Sequence, residues 1–107
     1  MKTSLTDHAF DALNAKAEEA SALLGAMANG KRLMVLCSLL EGEKSVGQLA
    51  TIVGLSQAAL SQHLSKMRSL RLVDTRRDAQ TIYYRLTSYE AEKVLETLYS
   101  LYCAPKA

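Results

Sequence analysis

A chain of 107 residues with 49% hydrophobic residues, 22% charged residues and one proline has the composition of a helix-rich globular protein and carries no disorder signature. Folding at this length buries roughly two-thirds of the unfolded surface, enough for a core without metal or disulfide support, so one domain over residues 1–107 is expected. The net charge of +2 does not by itself indicate nucleic acid; the longest apolar run, residues 33–40, is broken by Ser38 and far too short to cross a bilayer, and nothing reads as a secretory signal, so a cytoplasmic protein without membrane contact is expected.

Leu13, Ala17, Ala20, Leu23, Leu24 and Met27 repeat at helical spacing and predict one helix over about residues 7–28, stopped by Asn29-Gly30. Asn29 can cap a second helix over residues 31–40, apolar on most sides and therefore central, which ends at Gly42. Ser45 and Gln48 then form an S-x-x-Q capping box, Gly54 supplies the left-handed residue that ends a short third helix, and Ser56 caps a fourth. Ala50 is small where two helices must approach, and Leu49, Leu55, Leu60, Leu64 and Met67 are spaced to bury one shared face.

Two helices so joined, over about residues 45–70, read as a helix-turn-helix whose second member enters the DNA major groove. Residues 72–76 and 81–86 read as strands of a wing over about residues 72–86, connected by Arg77-Asp78-Ala79-Gln80. Thr87 and Glu90 form another capping box, and Ala91, Val94, Leu95, Leu98, Leu101 and Tyr102 make a stripe on a last helix over about residues 88–103. The predicted fold is mainly α with a small β-hairpin, a winged helix-turn-helix in the order ααααββα.

Lys66, Arg68, Arg71, Arg76, Arg77 and Arg85 face only Asp74 and Asp78 along the sequence, so the half with the helix-turn-helix is the basic half. Gln57, Ala58, Ser61 and Gln62 lie off the Leu60/Leu64/Met67 face and can reach base edges, with Gln62 able to bond bidentately to adenine. Lys66 and Arg68 suit phosphates, and Arg76, Arg77 and Gln80 suit contact beside the occupied groove. His63 reads as a core-edge histidine.

Four segments, Leu24 to Leu33, Ser45 to Leu49, Leu60 to Leu64 and Tyr83 to Leu86, resemble the ArsR/SmtB family of dimeric winged-helix repressors. The resemblance implies a symmetric homodimer, paired through the first and last helices, on double-stranded operator DNA. Arg71 stands where relatives commonly have glycine, Gly30 where they often have proline, and Ala58 where some present a hydrogen-bonding side chain. Metal-sensing members carry a Cys-x-Cys pair on the first helix of the helix-turn-helix, or carboxylates and histidines on the last helix. This chain has neither, so no metal or other cofactor is expected. Cys37 and Cys103, in their flanking sequences, are similar to the reactive-sulfur, thiol-switch branch of the family. That likeness implies that the two face each other and are linked by sulfane sulfur or an oxidant through a disulfide or sulfur bridge, altering operator binding. Left to its own residues, Cys37 reads first as a buried apolar cysteine. Two other functions remain open: an activator that displaces a silencing protein from DNA, and a small thiol enzyme, for which no base is recognisably poised beside Cys37.

Overall fold

A computed structural model describes residues 7–103. Its elements in chain order are α1 (Asp7–Ala15), α2 (Ala17–Met27), α3 (Gly30–Leu39), β1 (Lys44–Ser45), α4 (Val46–Val53), α5 (Gln57–Ser69), β2 (Val73–Asp78), β3 (Thr81–Leu86) and α6 (Tyr89–Tyr102). The ends of the expected 1–107 span lie outside the described residues.

The caps read from sequence are formed. Asn29 Oδ1 accepts the Arg32 N–H at 3.0 Å. Ser45 Oγ accepts the Gln48 N–H at 3.1 Å while Gln48 Oε1 accepts the Ser45 N–H at 2.8 Å, closing the reciprocal box. Gly54 ends α4 in the left-handed conformation with φ of 69°, and Ser56 Oγ accepts the Ala59 N–H at 3.1 Å to start α5. These fix the angle at which α5 leaves α4.

Four expectations need correction. The single helix over residues 7–28 is two, because the Lys16 N–H turns back to the Leu13 carbonyl at 2.9 Å. Since α1 has no buried residue, the core does not hold it in line with α2. The box expected at Thr87 and Glu90 is not formed; a single cap one residue on replaces it, with Ser88 accepting the Ala91 N–H at 3.0 Å, while the Thr87 N–H is committed to the Leu72 carbonyl at 2.9 Å at the base of the wing. The wing's connection is Ala79-Gln80 alone, with Arg77 and Asp78 paired to Ile82 and Thr81 on β3. Ala79 has φ of 57°, the sense that matches strand twist in two-residue hairpins. Finally, β1 adds a third antiparallel strand in the order β1-β3-β2, pairing Lys44 with Tyr84 and Ser45 with Tyr83. Because Ser45 is also the α4 cap, the start of the helix-turn-helix is tied to the wing.

The core gathers Val35 and Leu36 of α3, Leu49 of α4, Leu60, Leu64 and Met67 of α5, and Ala91 and Leu95 of α6. Each large side chain buried there contributes roughly 1.5–3 kcal/mol. Helix α3 is central as expected, burying Val35, Leu36, Ser38 and Leu39. The Ser38 hydroxyl is satisfied by donating to the Met34 carbonyl at 2.8 Å.

Candidate nucleic-acid interface and thiol pair

With Leu60, Leu64 and Met67 committed to the core, α5 turns its other side outward. Gln57, Ala58, Ser61, Gln62, Lys66 and Arg68 are all exposed. Ser65 is exposed among them and was missed in sequence, although it lies one turn beyond Ser61. His63 is half-buried, matching its reading as a core-edge residue. At 3.6 residues per turn, Lys66 and Arg68 stand roughly 160° apart, so they flank the exposed face from opposite sides.

The turn before α5 is held from outside. Lys31 Nζ, on α3, donates to the Val53 carbonyl at 2.6 Å and so satisfies an end group of α4. No local signal marks this contact, which spans 22 residues of sequence.

The wing's arginines are not equivalent. Arg76 grips the Glu43 carboxylate through Nη2 at 2.6 Å and Nε at 3.1 Å, and its guanidinium stacks 4.7 Å from the Tyr83 ring centroid. Glu43 is held below the usual carboxylate range by that hydrogen bond. Arg85 pairs with Asp74 at 3.8 Å. Among the described residues, ion pairs also engage Lys16, Lys44 and Lys93, which leaves Lys31, Arg32, Lys66, Arg68, Arg71 and Arg77 without an acidic partner. Arg77, on β2, and Gln80, in the turn, are exposed. Of the three wing residues expected to meet DNA, Arg76 is thus already engaged, by a glutamate 33 residues earlier that sequence reasoning missed.

Cys37 lies half-buried on α3, and Cys103 is exposed at the end of α6; both are free thiols. Burial pushes the Cys37 thiol up, and the charge of Cys103 adds to that rise. Among the described residues, no group of three or more His, Cys, Asp or Glu side chains could hold a metal ion. No helix among them is long and apolar enough to cross a membrane.

Apolar side chains are left uncovered on the terminal helices. Phe10 and Leu13 on α1, Leu24 on α2, and Tyr99, Leu101 and Tyr102 on α6 are each more than half exposed. Such a concentration of apolar surface marks a contact surface.

A capped helix-turn-helix, an outward polar face on its second helix and a β-hairpin wing beside it define a winged-helix DNA-binding transcriptional regulator. Residues 29–75 match the family model described as bacterial regulatory protein, arsR family. The chain is 58% identical over 86 residues to nodulation protein NolR of Rhizobium meliloti, covering 80% of this chain and 70% of that one. It is 52% identical over 85 residues to transcriptional activator HlyU of Vibrio cholerae, covering 79% of each. The crystal structure of the transcriptional repressor BigR from Xylella fastidiosa superposes with a TM-score of 0.83 at 39% identity, covering 89% of this chain and 97% of that chain. The chain belongs to the ArsR family, and the relatives it matches are regulators of transcription, not enzymes.

Proposed function

We propose that this regulator is a cytoplasmic homodimer, with residues 1–107 acting as one DNA-binding and dimerisation unit, whose operator binding is modulated by reversible linking of Cys37 and Cys103. The observation that carries the switch is the placement of two free thiols, one half-buried on the central helix α3 and one exposed at the end of α6. Dimerisation is supported by the uncovered apolar faces of α1, α2 and α6. Gln57, Ala58, Ser61 and Gln62 face the bases, Lys66 and Arg68 the phosphates, and Arg77 and Gln80 the backbone beside the groove. Arg76 serves DNA only after leaving Glu43. Two such heads reach operator half-sites about 34–36 Å apart, or a multiple of that.

The chemistry needs no cofactor. The exposed Cys103 thiolate attacks the outer sulfur of a persulfide RSSH, breaking its S–S bond and releasing the thiolate RS⁻, which leaves a persulfide on Cys103. The Cys37 thiol then attacks the inner sulfur, forming the Cys37–Cys103 disulfide and expelling hydrogen sulfide. With hydrogen peroxide, the Cys103 thiolate becomes a sulfenic acid with loss of hydroxide, and Cys37 condenses with it to the same disulfide and water. Linking α3 to α6 shifts the two reading heads, and a coupling of only ~1–3 kcal/mol changes affinity roughly 5- to 150-fold. A repressor output follows the family resemblance. An activator output has its own support in HlyU, whose name carries that sign, while BigR is named a repressor.

Intact-mass spectrometry of the reduced protein after exposure to a persulfide donor or to peroxide tests the switch. DNA binding is followed on the same samples, using duplexes selected by the reduced protein from a random library. A mass change mapping to linked Cys37 and Cys103, with altered binding, is expected. Failure to link the pair, or linkage without effect on binding, refutes the switch and leaves a winged-helix regulator of another signal.

A further inference from the structure

On the Lys66 side of α5 lies an open cleft of about 610 Å³ between that helix, the end of α2 and the start of α3. Arg32, Gln62, His63 and Lys66 supply its polar lining, Gly25 and Ala26 are part of its small-residue floor, and no acidic residue lines it. Gln62 belongs also to the outward face of α5, so the cleft continues that face.

Arg32 is prepared for a ligand. Its Nε donates to the Ala26 carbonyl at 2.7 Å and its Nη2 to the Gly25 carbonyl at 3.4 Å, both at the carbonyl-rich end of α2. These bonds fix the plane of the guanidinium and leave Nη1 without a partner among the described residues. The floor is clear as well, because a Cβ added at Gly25 meets no atom within 4 Å. Two permanent cations and an imidazole in a concave, acid-free site focus a positive potential. Arginine, with its planar fork of donors, is the side chain best suited to phosphate oxygens.

We infer that this cleft is a clamp for a phosphate diester of the DNA backbone, held between Arg32 and Lys66 with His63 as a further donor, on the side of the reading helix opposite Arg68. The inference rests on the DNA-reading face proposed above for α5 and adds a residue of α3, outside the helix-turn-helix, to the DNA contacts. A free small anion offers the same oxygens, but the continuity of the cleft with Gln62 favours DNA.

Three variants test it: K66Q at an exposed helix position, R32Q in the pinned arginine, and G25E, which puts an acid into open space on the cleft floor. Binding to a selected duplex and to a scrambled one is measured by fluorescence anisotropy across salt concentration. One phosphate contact contributes a slope of about 0.9 in log affinity against log salt, so losing it at 0.1 M salt, relative to 1 M, weakens binding about 8-fold. That loss is expected for K66Q and for R32Q, equally on both duplexes, with the slope reduced by about 0.9 in each. G25E is expected to weaken both duplexes while G25A does not. Unchanged slopes in K66Q and R32Q, or wild-type binding by G25E, overturn the clamp, as does a cleft that takes inorganic phosphate while the variants keep wild-type slopes. R32Q also loosens the junction of α2 and α3, so K66Q and G25E, which remove no side-chain hydrogen bond among the described residues, keep the result decisive. Steep salt dependence in the wild type with unaltered variants would retain the DNA-reading face and remove the clamp. No salt-dependent binding by the wild type would remove both.

Discussion

Replacing Arg71 with glycine should stabilise the protein, an unusual direction for losing a charged side chain. The Arg71 N–H bonds to the Arg68 carbonyl at 2.9 Å and the Leu72 N–H to the Met67 carbonyl at 3.0 Å. That is the bond pattern of a Schellman motif, with Arg71 at the position that wants a left-handed residue. Its φ is 61°. An L-residue there is strained by roughly 1–2 kcal/mol, and a glycine at the same site loses about 0.4–1 kcal/mol through the freer unfolded chain. Arg71 has no ion pair among the described residues to lose. The net gain for R71G is therefore about 0.5–1 kcal/mol. With a urea m-value of roughly 1–3 kcal/mol/M, the midpoint should rise by a few tenths of a molar. Urea unfolding at one fixed protein concentration measures it, which holds any contribution of the proposed dimer constant. R71A is the control, because it removes the side chain and keeps the strain. If R71G gains nothing over R71A, the backbone at Arg71 is not the source of strain and the reasoning fails.

Ser56→Ala removes the cap of α5 and should cost about 1 kcal/mol, lowering the melting temperature by roughly 4–8 °C at fixed concentration. Glu43→Gln releases Arg76, so DNA affinity should rise and the salt slope steepen by up to about 0.9; unchanged binding would show that the wing keeps Arg76 off DNA by other means. The Glu43 carboxylate is held low in the folded protein, so its contact with Arg76 stabilises above the usual carboxylate range, is intact at neutral pH, and is lost as pH falls through the lowered value. Parallel acid unfolding curves for wild type and E43Q would contradict that. Cys103→Ser removes the smaller of the two causes that raise the Cys37 thiol. Alkylation of Cys37 should then reach half-maximal rate at a lower pH than in the wild type, though still above an unhindered thiol, and an unmoved profile would place the two thiols out of reach.

Features set by neighbouring residues were legible in the sequence. The Ser45/Gln48 box, Gly54, Ser56 and Asn29 act within three or four residues of themselves, and each forms the bond its spacing implied. Errors came where a distant partner decided. Thr87 and Ser88 are adjacent hydroxyls at one helix start, and the Thr87-x-x-Glu90 pattern favoured the first. The strand ladder took the Thr87 N–H and gave the cap to Ser88. The apolar stripe runs in phase from Leu13 to Ala17, so periodicity could not show a break at Lys16. Glu43 and Arg76 are 33 residues apart in sequence, and nothing local announces their pairing. The unusual residue at Arg71 was visible as a departure from glycine, and the structure shows its consequence in the backbone.

The described contacts converge on α3, which would give the proposed cysteine link a route from one helix to another. That helix carries Cys37, buries four residues in the core, and sends Lys31 to the carbonyl of Val53 at the turn before α5. From Lys31 to Cys37 is less than two helical turns, about 9 Å of rigid rod. A bond from Cys37 to the end of α6 would pull on that rod. A 2.6 Å hydrogen bond to Val53 is lost when donor and acceptor part by about an ångström, so even a small tilt of α3 is enough to release the turn that aims α5. Position between two sites does not by itself demonstrate coupling. A double-mutant cycle does: Lys31→Met and Cys103→Ser, compared on oxidised protein, should be non-additive in DNA affinity if the lysine transmits the link, and additive if α6 acts on the dimer interface alone.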